Sequence, residues 1–190
     1  MSNSWLSKKK PKTNMNDIVA ELRRKKILLL AIDFDQTLLE IHTGGMWTDG
    51  VEDLLEHIRP AMLQLIDAAL DEPNSIKVSI VTYSMQPWLI HELLALALSH
   101  RNTSQIIVRG NTPDWINNHS QWTAGKEEHI SWVVAQLCDQ SPSLDIKAEN
   151  ILLLDDDPEN IKLAQTFLHR TFLVDSTFSL DHLHKYLCSL

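Results

Sequence analysis

Five short apolar runs are spaced along the chain, and stretches with helical periodicity lie between them. The runs are Ile27–Asp33, Lys77–Thr82, Gln105–Val108, Ile151–Asp155 and Thr171–Val174. They show little alternation of apolar and polar residues, which is typical of strands that are buried on both faces. Helices must then cover both sides of the sheet. The pattern therefore predicts an α/β fold with a parallel five-stranded sheet and helices on both faces.

The intervening stretches have the spacing of amphipathic or buried helices. Helices are predicted over about residues 51–70, 86–99, 126–138 and 158–168. A further amphipathic helix is expected to begin near Asn16. Pro60 is expected to start a second helical segment, because proline is favoured at the first helical position. Asp157 followed by Pro158 is typical of a helix start, with the aspartate as the cap.

The beginning of the chain differs in composition from the rest. Residues 1–14 are polar and lysine-rich and predict a flexible basic arm, whereas residues 15–190 predict a single domain. Ser7–Lys12 resembles a basic nuclear-targeting patch, although a solvated tail is the commoner meaning of such a run.

Composition excludes several classes of protein. The two cysteines, Cys138 and Cys188, form no C-x-x-C pair, so neither a disulfide scaffold nor a thiolate zinc site is expected. No apolar run approaches the roughly 18 residues of a membrane span, and no hydrophobic signal segment follows the start. We therefore expect a soluble cytoplasmic or nuclear protein without a membrane partner, and a secreted effector stays open.

The net charge of −8 is unevenly distributed. The first 26 residues carry eight basic and two acidic side chains, which leaves nine basic and 23 acidic side chains in the remainder. A body this acidic repels nucleic acid along most of its surface, so we do not expect a nucleic-acid partner. It suits a site that gathers carboxylates around a cation.

Polar clusters follow three of the apolar runs. Asp33 ends the first run and is followed by Asp35 and Thr37. Thr82 ends the second run. Asp155 ends the fourth run and is followed by Asp156 and Asp157. Taken singly, these clusters could be turns or a helix N-terminus. Parallel strands bring their carboxyl ends to one edge, however, and converging carboxylates repel one another unless a cation is bound. Such an oxygen-rich edge suits Mg²⁺.

At these clusters the sequence resembles the haloacid-dehalogenase-type phosphatases. The run I-L-L-L-A-I-D-F-D-Q-T-L is similar to their first motif, a strand followed by D-x-D-x-T. Val78–Thr82 resembles the second motif, Lys126 matches the third, and I-L-L-L-D-D-D-P-E-N resembles the fourth. All four occur in family order over about residues 25–175. The resemblance implies a Rossmann-like fold.

The resemblance also assigns catalytic roles to four residues. Asp33 would be the nucleophile that forms an aspartyl-phosphate, and Asp35 would be the general acid and then the general base. Thr82 would hydrogen-bond a phosphoryl oxygen. Lys126 would neutralise charge on the phosphoryl group and on the nucleophile. Asp35 favours phosphate chemistry, because family members that cleave carbon–halogen bonds lack an acid at this position.

The same resemblance implies a magnesium site. Mg²⁺ would be held by Asp33, the backbone carbonyl of Asp35 and Asp156, with Asp155 and Asn160 in support. The side chains involved belong to the first and fourth motifs. Loss of the metal would therefore be expected to stop turnover.

The two segments at which the family inserts cap domains are short in this sequence. The flap at Thr43–Gly50 and the segment Gly110–Gly125 are too small for a separate cap domain. Gln36 departs from the commoner D-x-D-G-T and resembles the capless protein-phosphatase branch. An open site similar to those of the magnesium-dependent and carboxy-terminal-domain phosphatases favours a bulky or protein-borne phosphate.

Four tryptophans lie near the predicted catalytic edge. They are Trp47, Trp88, Trp115 and Trp122. An aromatic wall there could stack on a phosphotyrosine ring or on a nucleobase. Packing of the loops is the alternative, and it is the commoner role of such residues.

Taken together, the sequence predicts a Mg²⁺-dependent phosphatase that acts on a protein phospho-residue, with phosphotyrosine favoured. A nucleic-acid end or small-molecule phosphatase and an inactive interaction protein of the same fold are the alternatives. A receiver domain uses similar residues, but there the acidic pair follows the first strand, which is the opposite of the order here. The oligomeric state is not predicted.

Overall fold

The computed structural model describes residues 13–71, 76–118 and 125–190. Five strands form one parallel sheet in the order β3-β2-β1-β4-β5. The strands are β1 (Leu29–Ile32), β2 (Lys77–Val81), β3 (Ile107–Arg109), β4 (Ile151–Asp155) and β5 (Arg170–Leu173). The predicted α/β, Rossmann-like architecture is confirmed. Because β1 lies between β2 and β4, the residues that follow these three strands meet at one edge.

Helices cover both faces of this sheet. They are α1 (Met15–Arg24), α2 (Val51–Leu55), α3 (Pro60–Ala69), α4 (Pro87–Ala97), α5 (Pro113–Asn118), α6 (Glu127–Gln140), α7 (Pro158–Thr166) and α8 (Leu180–Ser189). Pro60 and Pro158 stand in the first turns of their helices, and Asp157 caps α7 by accepting the N–H of Glu159 at 2.8 Å. These helix starts follow the prediction.

The central strand shows why the apolar runs have no polar alternation. Leu30 and Ile32 face a core shared with α1, α3, α4 and α8. Leu29 and Ala31 face the opposite core, which contains apolar residues of α6 and Ala164 of α7. All four strand residues are fully buried. Both faces of β1 are therefore dry, and each position has to be apolar.

One strand begins later than the sequence pattern indicates. The side chain of Asn102 accepts the N–H of Ser104 at 3.2 Å and starts a 3₁₀ turn over Thr103–Gln105. Gln105 is therefore used in a turn rather than in the predicted strand, and β3 begins at Ile107. Local hydrogen bonding by an asparagine side chain competes here with strand pairing.

The last helix was not predicted from the sequence. Ser179 caps α8 by accepting the N–H of His182, and Leu183 and Leu187 are buried against the core. Within the described chain, no helix has the length and apolar character needed to cross a membrane.

The predicted basic arm lies mostly outside the described residues, and this includes Ser7–Lys12. The N–H of Thr13 donates to Asp181 at 3.0 Å, and Asn14 caps α1 by accepting the N–H of Asn16 at 3.2 Å. These contacts attach the start of the described chain to α8. The division at residue 14 stays a prediction.

Candidate active site

The chain turns sharply where it leaves β1. Phe34–Leu38 form a tight turn whose backbone is not helical at Asp35 and Gln36, and Gln36 has a φ of 56°, in the left-handed region that favours glycine. The N–H of Gln36 donates to the carbonyl of Ile41 at 2.9 Å, and the guanidinium of Arg59 donates to the carbonyl of Gln36 at 3.0 Å. These bonds hold a strained turn that keeps Asp33 and Asp35 at the same edge of the sheet.

Asp33 and Lys126 form a buried ion pair at this edge. The ammonium Nζ donates to Oδ1 of Asp33 at 2.6 Å, and the two side chains are only 8% and 2% exposed. Burial raises the pKa of Asp33 above its usual value, against the opposing attraction of Lys126. Burial also works against the charged lysine, but the carboxylates of Asp33 and Asp155 outweigh it and raise the pKa of Lys126. The ammonium form is thus strongly favoured.

Asp155, at the end of β4, is fully buried beside this pair. The amide Nδ2 of Asn160 donates to both of its carboxylate oxygens at 3.2 Å, and the N–H of Asp157 donates to Oδ1 at 2.9 Å. Burial, together with the charge of Asp33, raises the pKa of Asp155 to about 7. The first turn of α7 therefore holds this carboxyl group in place, as expected for a supporting role.

Asp156 lies on the cavity side of the same loop. Its Oδ1 accepts a hydrogen bond from the hydroxyl of Thr37 at 3.3 Å, which ties the loop after β4 to the turn after β1. Its charge also contributes to the raised pKa of Asp33, because the two carboxylates repel each other. Such repulsion is relieved when a cation lies between carboxylates.

The donor set at this edge fits Mg²⁺ chemically. Asp33, Asp156 and the carbonyl of Asp35 supply hard oxygen atoms, and all three residues line one cavity. Among the residues that the structure describes, no group of three or more His, Cys, Asp or Glu side chains is arranged to hold a metal by itself. Mg²⁺ needs no such cage, because it commonly takes one or two carboxylates and keeps several waters.

The carboxylate of Asp35 is fixed by the flap. Its Oδ1 accepts the N–H of Thr43 at 2.8 Å, and its Oδ2 lies 3.7 Å from Nδ1 of His42. The same Nδ1 accepts the N–H of Gly44 at 2.8 Å. The backbone of the flap thus holds Asp35 beside the nucleophile candidate.

These groups surround a cavity of about 540 Å³. Its lining includes the predicted site residues Asp33, Asp35, Thr82, Lys126, Asp155, Asp156 and Asn160. It also includes residues to which sequence reasoning gave no role, namely Gln36, His42, Gly44, Gly45, Tyr83, Asp157 and Pro158. Their positions next to the motifs were the available signal, since Tyr83 directly follows Thr82 and Gln36 lies within D-x-D-x-T.

Thr82 ends the second motif with its side chain buried at the cavity wall. Its backbone N–H donates to the carbonyl of Arg109, and its Oγ1 accepts the N–H of Ser84 at 3.1 Å. The hydroxyl hydrogen is then available to an oxygen atom in the cavity. The predicted contact of Thr82 with a phosphoryl oxygen stays a prediction.

Of the four tryptophans of the predicted aromatic wall, the structure describes Trp47, Trp88 and Trp115, and none of these three lines the cavity. Trp115 is only 7% exposed. The guanidinium of Arg109 lies 3.8 Å from its ring centroid, and the ring of His129 lies 5.1 Å away. Trp115 therefore packs inside the protein rather than facing a substrate.

Trp47 and Trp88 also have surroundings that differ from those expected. The backbone of Trp47 is bridged to the side-chain amide of Gln86, and its indole N–H donates to the carbonyl of Gly50 at 2.9 Å. Trp88 lies in the first turn of α4 and is 59% exposed. Trp122 lies outside the described residues. Trp47 thus braces the flap, and Trp88 belongs to the outer surface.

Comparisons with known proteins add little to this geometry. No protein-family model matches the sequence, and no curated protein matches it. Among solved structures, the chain is similar to a predicted HAD-like family hydrolase from Porphyromonas gingivalis, with 13% identity and a TM-score of 0.44. The match covers 85% of this chain and 98% of that chain. A similarity at this level says nothing about activity, so the function has to be inferred from the site.

Proposed function

We propose that this protein is a Mg²⁺-dependent phosphatase that hydrolyses a phosphate monoester through an aspartyl-phosphate on Asp33. The observation that carries the proposal is the 2.6 Å contact between Lys126 and Asp33, which are both buried where the central strand ends. Burying two charges costs several kcal/mol per ion before pairing offsets it, so such a pair is a poor device for stability alone. An ammonium held next to a carboxylate at a buried position is well suited to stabilise phosphoryl transfer.

The reaction has two chemical steps, and Asp33 and Asp35 take part in both. In the first step an oxygen of Asp33 attacks phosphorus, the bond from phosphorus to the ester oxygen breaks, and Asp35 gives its proton to the leaving oxygen. In the second step Asp35 takes a proton from a water that attacks phosphorus. The bond between phosphorus and Asp33 then breaks, and inorganic phosphate leaves with both enzyme carboxyl groups restored.

Neighbouring groups balance the negative charge of the phosphoryl group in these steps. Lys126 and the hydroxyl of Thr82 contact the phosphoryl oxygens, where negative charge is concentrated. Mg²⁺ held by Asp33, Asp156 and the Asp35 carbonyl would supply further positive charge at the phosphoryl group. Asn160 keeps Asp155 in place through the hydrogen bonds described above.

The surroundings of the cavity support a protein-borne substrate. Met46 and Met85 are exposed apolar side chains next to Gly45, which lines the cavity: Met46 follows it in the chain, and the N–H of Met85 donates to its carbonyl. An apolar rim beside a polar cavity suits the residues that flank a phosphorylated side chain. The predicted preference for phosphotyrosine gains no support from Trp47, Trp88 and Trp115, which do not line the cavity, and it stays a prediction.

The first experiment measures hydrolysis of an aryl phosphate by the purified protein. We expect activity with Mg²⁺, loss of activity with EDTA, and loss of activity in Asp33→Asn. Asp145→Asn is the matched control, because Asp145 is an exposed carboxylate at the opposite end of the sheet. A panel of phosphoserine, phosphothreonine and phosphotyrosine peptides, each compared with small alkyl phosphates, then tests the substrate class.

The outcomes separate the parts of the proposal. Activity that survives Asp33→Asn contradicts the assigned nucleophile, and activity that survives EDTA contradicts the metal requirement. Equal rates on peptides and on small alkyl phosphates contradict the protein substrate. A folded protein with no activity on any of these esters supports an interaction protein instead.

A further inference from the structure

Among the described residues, Tyr83 contributes an aromatic ring to the cavity lining, and Lys126 lies on the face of this ring. Nζ of Lys126 is 3.9 Å from the centroid of the Tyr83 ring and 2.6 Å from Oδ1 of Asp33. The ammonium is therefore held between a carboxylate and the negative face of a π-system. Lys126 itself is the N-cap residue of the long helix α6.

Tyr83 is held on its other side by the acidic loop. Its hydroxyl donates to Oδ1 of Asn160 at 3.3 Å, across 77 residues of sequence. Nδ2 of the same amide donates to both oxygens of Asp155. The ring also meets the edge of His129, with centroids 5.7 Å apart and planes at 73°. Tyr83 thus joins the lysine to the Asp155–Asn160 pair.

This placement matters because two carboxylates compete for one ammonium. Asp33 and Asp155 both attract Lys126, and both contribute to its raised pKa. The hydrogen bond is made to Asp33, while the ring of Tyr83 occupies another side of the ammonium. Removal of the ring would open space on that side and allow Lys126 to move away from the nucleophile.

We infer that Tyr83 is a positioning residue, which holds Lys126 against Asp33 through the face of its ring. The inference rests on the proposed phosphatase function and adds a residue to it. The face that Lys126 covers is not free to stack on a substrate. In this role Tyr83 acts on the reaction through the lysine and through Asn160.

Two substitutions separate the ring from the hydroxyl. Tyr83→Phe keeps the ring face and loses the hydrogen bond to Asn160, so we expect kcat for an aryl phosphate to fall by less than about threefold. Tyr83→Leu removes the ring, and we expect kcat to fall by about 10- to 30-fold, which is the range of a desolvated cation–π contact. KM should change less than kcat, because the contact aligns the lysine with the nucleophile rather than binding the leaving group.

A control distinguishes positioning from general packing. Tyr186→Leu removes a half-buried tyrosine that packs on Phe172 far from the cavity, so it should lower the melting temperature without a selective loss of kcat. If Tyr83→Leu does not fold, Tyr83→Met replaces it, since methionine fills more of the space without supplying a ring.

Each result bears on the inference. Wild-type kcat in Tyr83→Leu, with wild-type activity still dependent on Asp33, overturns the positioning role and leaves the phosphatase proposal intact. Equal losses in Tyr83→Phe and Tyr83→Leu overturn the role of the ring, because the hydroxyl would then be responsible. A wild-type protein without phosphatase activity overturns both proposals.

Discussion

The two ends of the sheet carry similar residue types in different surroundings. At the carboxyl ends of β1 and β4, acidic and basic side chains line the cavity of about 540 Å³. At the amino ends of the same strands, Arg23, Lys26, Asp145, Lys147 and Glu149 help to line a second cavity of about 420 Å³. The first contains a buried ion pair, whereas Lys147 and Asp145 are 64% and 81% exposed and lie 3.8 Å apart. Residue type alone would not tell these two cavities apart.

Burial is the property that separates them. A solvated ion pair contributes about 0–1 kcal/mol, because water competes for both charges. A buried pair has lost that water and depends on its partner. At the amino end, the side chain of Asn150 instead satisfies backbone groups, donating to the carbonyl of Lys26 at 2.8 Å and accepting the N–H of Lys147 at 3.0 Å. We therefore interpret the carboxyl end as the functional one and the amino end as structural surface.

The largest contrast is expected between two lysine substitutions. Lys126→Met leaves Asp33 buried without its partner, so the free energy of unfolding should fall by about 3–5 kcal/mol and turnover should be lost. Lys147→Met should change the free energy of unfolding by less than about 0.5 kcal/mol and leave turnover intact. Urea denaturation in EDTA, followed by an aryl-phosphate assay, measures both. Similar losses of stability in the two variants would remove the distinction between the two ends.

The next effect concerns Asp35, which is partly exposed and held by the flap. Asp35→Asn should lower kcat by about 10²–10⁴-fold, because general acid and base catalysis is lost. Its stability should stay near that of the wild type, since the amide oxygen can still accept the N–H of Thr43. Asp49→Asn, at an exposed position in the flap segment, is the control and should leave kcat unchanged. A kcat within about tenfold of the wild type would exclude Asp35 as the acid.

A smaller, pH-dependent effect is expected at His169, directly before β5. His169 is buried and contacts Oε2 of Glu127 at 2.6 Å and the carbonyl of Ala148 at 3.1 Å. Burial disfavours the charged ring, but the hydrogen bond to Glu127 outweighs it and raises the pKa of His169 above 6.5. A raised pKa stabilises the fold fully below the unfolded value, and this contribution disappears as pH rises through the folded value.

His169→Gln tests this dependence. At about pH 6 the variant should be less stable than the wild type by about 2 kcal/mol, which is typical of a hydrogen bond to a charged group. The difference should narrow as the pH is raised beyond the folded pKa of His169. Denaturation curves at a series of pH values measure it. A difference that grows with pH would show that the ring is neutral in the folded protein.

The smallest expected effects compare backbone strain at the cavity with backbone strain at an exposed position. Gln36 and Leu168 both have a left-handed φ, of 56° and 67° respectively. Replacing either by glycine should stabilise the protein by about 0.5–1 kcal/mol, because glycine adopts this conformation without a steric cost. Leu168 is 72% exposed, so the loss of its side chain removes little packing. Only Gln36→Gly should alter KM, since Gln36 lines the cavity; a change of KM in Leu168→Gly would contradict this division.

The sequence was most informative about the sheet. The run that forms β1 is buried on both faces, and this single requirement made the strand, its neighbours and the carboxyl edge predictable. Helix α8 was missed although Ser179, Leu183 and Leu187 have the spacing of a capped amphipathic helix. The strand β3 was misplaced because a local asparagine turn took its predicted first residue.

The site was only partly predictable, for a related reason. Asp33 and Asp155 stand at strand ends, so their meeting at one edge was predictable, whereas Lys126 was assigned through the resemblance to the family's third motif. The direction of the Tyr83 ring depends on how α6 and α7 pack around the end of β2, and no local pattern contains that. The burial of Trp115 could not be predicted from the sequence, because it depends on packing against Arg109 at the end of β3.

The central claim is that the buried aspartate at the end of β1 carries the phosphoryl group during turnover. The most direct test mixes the protein with an aryl phosphate and Mg²⁺, quenches with acid during turnover, and maps the phosphorylated peptide by mass spectrometry. The proposed mechanism predicts an acyl-phosphate on Asp33, labile to hydroxylamine and missing from Asp33→Asn. Turnover with no phosphoryl group on Asp33, or with the label on another residue, would contradict it.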